Sequence, residues 1–300
     1  MNHSRIALLL GAAVLMAACN NAAPLYRIKI SAAAENPTGT PAKPAAVKNA
    51  TKTVLEEDLS VSFTSSDRIA VFSENGLANP FTVSTLYEDG SADFSGTVDY
   101  EDDSYIAMYP YQTGSSALVS TGEVLVKIPA VQTAVAGSFD PEAGISIGRT
   151  VNTNGNIHSL ELKNVCALLK FSVPVGESYS VAELITGDDV YLSGDLVFLA
   201  NEDPVNTYVV DFESSDVQLC GTIEGGNWYY IAINPVTFEH GFALHLYEKE
   251  SDVESGRYAT VKSTNASVSL KRSEILNLGI IGTDAGAGFE PVAGETIFEW

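Results

Sequence analysis

The chain has 300 residues, a length that suits two domains better than one, and its 45% hydrophobic content is enough to fill real cores. Charge is lopsided: 16 Lys and Arg stand against 38 Asp and Glu, and because residues 1–52 hold six basic and one acidic residue, residues 53–300 keep 10 basic and 37 acidic. A body that acidic repels nucleic-acid phosphates and anionic lipid headgroups, which argues against both as partners, and it keeps an exported protein soluble.

Arg5 precedes the apolar run Ile6–Met16, which is followed by Ala17, Ala18 and Cys19. Too short to span a bilayer, this run reads as a signal peptide over residues 1–18. Cys19 stands where a lipoprotein signal peptidase leaves a new N-terminus, so the stretch resembles a bacterial lipobox, from which Met16 departs slightly. Ordinary cleavage after an Ala is the alternative, and it leaves Cys19 idle. With acyl chains contributing ~0.8 kcal/mol per buried CH₂, a doubly or triply acylated Cys19 is a stable anchor. Export also permits a disulfide between Cys166 and Cys220, but both lie in apolar, strand-like surroundings that favour two buried thiols.

Leu25–Ser31 alternates Leu25, Arg27, Lys29 and Ser31 with Tyr26, Ile28 and Ile30, the pattern of a strand with one apolar face. Residues 32–53 are rich in Ala, Pro, Gly, Thr and Lys and have no period, so they read as an exposed loop carrying Lys43, Lys48 and Lys52. From Val54 onward the period is two. Ile69 and Val71 oppose Ala70 and Phe72; Val124, Val126 and Ile128 flank Lys127; Leu160 and Leu162 flank Glu161; Phe242, Leu244 and Leu246 alternate with Ala243 and His245. Turn signals such as Glu74-Asn-Gly76, Glu88-Asp-Gly90 and Glu224-Gly-Gly226 separate such runs, and no long stretch keeps a helical period. The pattern is that of all-β sandwiches. The polar run Asn152-Thr-Asn-Gly-Asn156 is the expected domain boundary, dividing 54–156 (with strand 25–31) from 157–300.

Catalytic chemistry has little to build on. Gly144-Ile-Ser-Ile-Gly148 has the spacing of a nucleophile elbow, which makes Ser146 the formal candidate, but the strand-to-helix context that motif needs is absent. The histidines after the signal peptide are His158, His240 and His245, and the last two, five apart in extended chain, point to opposite faces. Metal-ligand spacing is lacking, and Glu101-Asp-Asp103 and Asp188-Asp189 read as solvated faces. The chain is therefore expected to be no enzyme and to hold no cofactor or metal.

Six segments occur in an order that resembles the fimbrillin-like family of type V pilus subunits: Asp67–Phe72, Tyr105–Tyr111, Leu162–Phe171, Tyr229–Pro235, Gly241–Leu246 and Arg272–Leu278. The resemblance implies two transthyretin-like β-sandwich domains in tandem and a stalk, anchor or tip role in adhesion. It further implies a lipid anchor at the outer membrane, on the cell surface, and removal of the first strand by a trypsin-like protease. Other pilus subunits or copies of the same chain are then partners, through β-strand addition. The family's cut follows an Arg just before the second strand, whereas here the matching place is Thr51-Lys52-Thr53; Lys52 and Lys48 are the candidate processing residues. The tail, residues 284–300, regains strand character, with Thr296, Phe298 and Trp300 on one face. It either folds back as an edge strand of its own domain or serves as a donor strand anchored by Phe298 and Trp300. A monomeric surface lipoprotein that binds glycans through sandwich aromatics is the alternative function.

Overall fold

A computed structural model describes residues 25–35, 54–55, 61–201, 203–282 and 297–299. Among them the regular structure is strand, apart from one 3₁₀ turn at Glu250–Asp252. No helix of the described residues is long and apolar enough to cross a membrane.

The first half supplies β1 (Tyr26–Ala34), the short pair β2 (Val54–Leu55) and β3 (Val61–Ser62), then β4 (Arg68–Phe72), β5 (Ala78–Leu86), β6 (Ala92–Val98) and β7 (Ile106–Tyr109). An excursion through β8 (Ala117–Leu118), β9 (Glu123–Ile128) and β10 (Val131–Thr133) leads back to β11 (Ser146–Arg149), β12 (Val151–Asn154) and β13 (Ile157–Asn164). The large sheet runs β1-β6-β5-β4-β7-β11-β13-β12, and β1 pairs with β13 as well. That last pairing closes seven of the strands into a barrel, which leaves none of the seven with an open edge along its whole length. β1 is its closing stave, antiparallel to β6 on one side and parallel to β13 on the other.

Alternation sends Ile28, Ile30, Phe81, Phe94, Tyr105 and Leu160 into the barrel. The neighbouring residues Ala70, Phe72, Ile106 and Met108 point out of it and are just as buried, because they meet a second core. Strands β4 and β7 are thus covered on both faces, which accounts for their unbroken apolar runs. Within the barrel Gly96 is required by packing: a Cβ there would stand 2.4 Å from the Phe81 ring.

The second half supplies β14 (Ala167–Ser172), β15 (Ser178–Thr186), β16 (Ser193–Leu199), β17 (Asn206–Ser214), β18 (Asp216–Glu224) and β19 (Trp228–Ile233). There follow β20 (Thr237–Phe238), β21 (Phe242–Tyr247), β22 (Thr260–Thr264), β23 (Val268–Ser269), β24 (Glu274–Ile280) and β25 (Ile297–Glu299). The sheets β19-β14-β24-β25 and β10-β18-β15-β21-β22 bury their apolar faces in a shared core that includes Phe171, Leu184, Leu219, Ile231 and Leu276. A third sheet, β17-β16-β9-β8, covers the outer wall of the barrel through Val124, Val126, Leu196 and Phe198.

The halves exchange strands: β9 lies beside β16, and β10 runs parallel to β18. Residues 152–156 form the end of β12 and the turn into β13, which pairs with β1 in the barrel. A polar hairpin turn and a polar linker have the same composition, and long-range pairing distinguishes them. Cys166 is buried and free, its thiol donating to the Ala143 carbonyl at 3.3 Å, and burial pushes it up to about 12; Cys220 is free and half-buried.

Candidate functional site

The feature on which a strand-exchange function would turn is the seat of β1. Its inward side chains Ile28, Ile30 and Ala32 are at most 2% exposed. Its backbone is paired from Tyr26 opposite Val98 to Ala32 opposite Ala92 on β6, and from Lys29 opposite Ile157 to Ala34 opposite Leu162 on β13. The strand therefore runs past the Ser31 expected from periodicity. Ala32–Ala34 carry no strong strand preference of their own; Ala32 is held between two neighbours, and β13 alone holds Ala33 and Ala34 extended.

Outward residues of β1 converge on Asp93 of β6. The Lys29 ammonium lies 2.5 Å from Asp93 Oδ2, the Ser31 hydroxyl donates to Oδ1 at 2.6 Å, and the Tyr87 hydroxyl donates to Oδ2 at 2.5 Å. The Asp93 side chain is 1% exposed. Burial alone would raise its carboxyl, but the hydrogen bonds from Lys29, Ser31 and Tyr87 outweigh that and hold it below the ordinary range. Lys29 is raised in turn, chiefly by its hydrogen bond to Asp93.

At the far end Glu35 ties β1 to the second half of the chain. Its carboxylate accepts from Arg272 Nη1 at 2.7 Å and Nη2 at 3.2 Å, from the Ser273 hydroxyl at 3.0 Å and from the Asn164 backbone N–H at 3.0 Å. Arg272 Nε donates to Asp203 at 2.5 Å. Ser273 is the one non-glycine residue with a positive φ among those described, at 58°, and it stands directly before β24. The seat thus has a negative pole at Asp93 and a positive pole at Arg272, with an apolar floor between them.

Periodicity marks Lys29 and Ser31 as outward residues without identifying their partner. Glu35 carried a faint signal, as the only acidic residue among the first 52. Cys19, Lys48, Lys52 and Trp300 lie outside the described residues. Phe298 lies within β25, whose backbone pairs with β24 from Glu274 opposite Glu299 to Leu276 opposite Ile297. Ser146 is buried and donates to Asn164 at 2.9 Å, while His158, six residues back along β13 and so roughly 20 Å away, contacts Thr150 and the edge of Tyr105. The elbow residues are therefore not gathered into a triad. His240 holds Asp188 at 2.6 Å on the surface, and His245 stacks on Tyr258 at 4.1 Å. No group of three or more metal-ligating side chains occurs among the described residues.

No family model and no curated protein matches the sequence. Solved structures do match. A candidate cell adhesion protein from Bacteroides uniformis aligns over 91% of this chain and 99% of its own, with a TM-score of 0.51 at 11% identity. One from Bacteroides ovatus covers 92% and 98%, with a TM-score of 0.45 at 13% identity. The tip fimbrial protein Mfa3 from Porphyromonas gingivalis covers 92% and 100%, with a TM-score of 0.38 at 10% identity. The first likeness shows a shared all-β fold over nearly the whole of both chains.

Proposed function

We propose that this chain is a structural subunit of a type V pilus, built as two transthyretin-like units and lipid-anchored through Cys19 at the outer membrane before assembly. It joins its neighbours by strand addition, serves adhesion and performs no catalysis. The observation that carries this reading is the position of β1, which closes the barrel between β6 and β13 and is followed by the segment holding Lys43, Lys48 and Lys52. Cleavage at Lys48 or Lys52 frees β1 from the rest of the chain. Its departure exposes two strand edges and the places of Ile28 and Ile30, each isoleucine worth roughly 1.5–3 kcal/mol of burial. A seat so unfavourable when empty is filled by another extended segment, with backbone hydrogen bonds giving affinity and alternate side chains giving specificity.

The outgoing strand is the tail, residues 284–300, with Phe298 and Trp300 as anchors in the seat of another subunit. Its edge position fits this role, since β25 makes three residue pairs with β24. Cell-surface extract run on a denaturing gel with and without heating tests the reading. A ladder that collapses on heating, and is lost when residues 284–300 are deleted, is expected. A single band at monomer size under both conditions would overturn assembly and favour a monomeric glycan binder.

A further inference from the structure

The seat of β1 and the tail of the same chain can be compared position by position. Asp93 takes a cation and a hydroxyl from β1, at Lys29 and Ser31, and Arg272 takes the Glu35 carboxylate six residues beyond Lys29. Inward, the seat accepts Ile28, Ile30 and Ala32 in a barrel already filled by the rings of Phe81, Phe94 and Tyr105. Residues 283–300 contain four acidic residues and no Lys or Arg. Every register of that segment on the seat therefore sets a neutral or acidic residue beside Asp93. Where residues 295–300 occupy the seat, the two faces also fail for separate reasons. With Thr296, Phe298 and Trp300 inward, two large aromatic side chains meet space shaped for isoleucine and alanine, and overpacking of this kind costs about 1–3 kcal/mol for even modest excess volume. With Ile297 inward, Glu295 and Glu299 enter an apolar interior, where an unpaired carboxylate is not tolerated.

We infer that the seat of β1 selects against this chain's own tail and is filled instead by a strand from a different subunit. That strand carries small aliphatic residues on its inward face, a Lys or Arg and a hydroxyl over Asp93, and a carboxylate that reaches Arg272. The inference rests on the strand-addition reading and specifies its partner: consecutive copies of this chain do not join tail to seat, so the chain occupies a junction between unlike subunits. Charge sets the choice as much as shape, since a like charge beside a buried carboxylate is strongly unfavourable.

The test uses the full chain nicked by trypsin within residues 43–52, so that β1 remains seated but can exchange. Fluorescent peptides are added and incorporation is followed by anisotropy and native gel. The peptide 25–35 is expected to enter, its Lys29→Glu form to bind about tenfold or more weakly, and the peptide 284–300 to stay out. In the Asp93→Asn variant the penalty on the Lys29→Glu peptide is expected to shrink several-fold. Entry of peptide 284–300 as readily as 25–35, or an unchanged penalty in Asp93→Asn, would overturn the selection while leaving strand addition intact. Failure of every peptide to enter, 25–35 included, would sink strand addition itself and this inference with it.

Discussion

Glu35 and Arg272 meet through two hydrogen bonds, of 2.7 and 3.2 Å, across 237 residues of sequence. Each side chain is 17% exposed, so the pair is sheltered enough to matter energetically. It fastens the end of the first strand to the residue pair that opens β24, the strand on which β25 lies.

Arg272→Ala leaves Glu35 with its hydroxyl and backbone donors and with Lys163 at 3.8 Å, but without its two guanidinium hydrogen bonds. A loss of about 1–3 kcal/mol follows from removing one member of a sheltered pair. Chemical denaturation should show it as a lower midpoint, and the loop-nicked Arg272→Ala protein should release the fragment bearing β1 faster than the nicked wild type. Equal release rates would mean that Glu35 does not retain β1.

Asp93 makes the seat sensitive to acid. Its carboxyl lies below the ordinary range when folded, so the stability it contributes is fully present above the unfolded value of ~3.9 and is lost as pH falls through the folded value. Retention of β1 in the nicked chain should therefore be flat from neutral pH to about pH 4 and weaken below that. In Asp93→Asn retention should be lower at neutral pH, and the added loss below pH 4 should be smaller than in wild type. A wild-type profile that weakens only on the alkaline side of neutrality would contradict this assignment.

Gly96→Ala probes the filled interior of the barrel. The added Cβ would stand 2.4 Å from the Phe81 ring, so ring or strand must move, at a cost of about 1–3 kcal/mol. Phe81→Leu should recover part of that loss in the double variant, although it is itself destabilising. Additive losses would show that the two residues do not compete for the same space.

Strands whose faces meet different surroundings were legible as alternation. Val124, Val126 and Ile128 point inward on β9, as do Leu160 and Leu162 on β13. Barrel closure was not legible, because β1 finds β13 more than a hundred residues away and alanines form the last part of the pairing. The polar run at 152–156 has the composition of a linker, and only the pairing of β12 with β13 identifies it as a turn. Of the seat's polar groups, Asp93, Glu35 and Arg272 are individually ordinary, and their meaning lies in which strands bring them together.

Gln132 shows how the fold protects an edge that its topology leaves open. Among the described residues strand β19 ends its sheet, and none of their strands pairs with its outer side. The buried Gln132 side chain takes that place: its Nε2 donates to the Ala232 carbonyl at 2.6 Å and its Oε1 accepts from the Ala232 N–H at 2.9 Å. One amide thus makes the two hydrogen bonds that a neighbouring strand residue would make. Gln132→Leu keeps the bulk and removes both bonds, leaving a buried donor and acceptor unmatched at about 1–3 kcal/mol each. The expected result is a lower denaturation midpoint with more self-association in sedimentation or light scattering, since an exposed strand edge recruits other chains. Were Gln132→Leu as stable and as monodisperse as the wild type, the side chain would be a passenger at that edge and something else would be closing it.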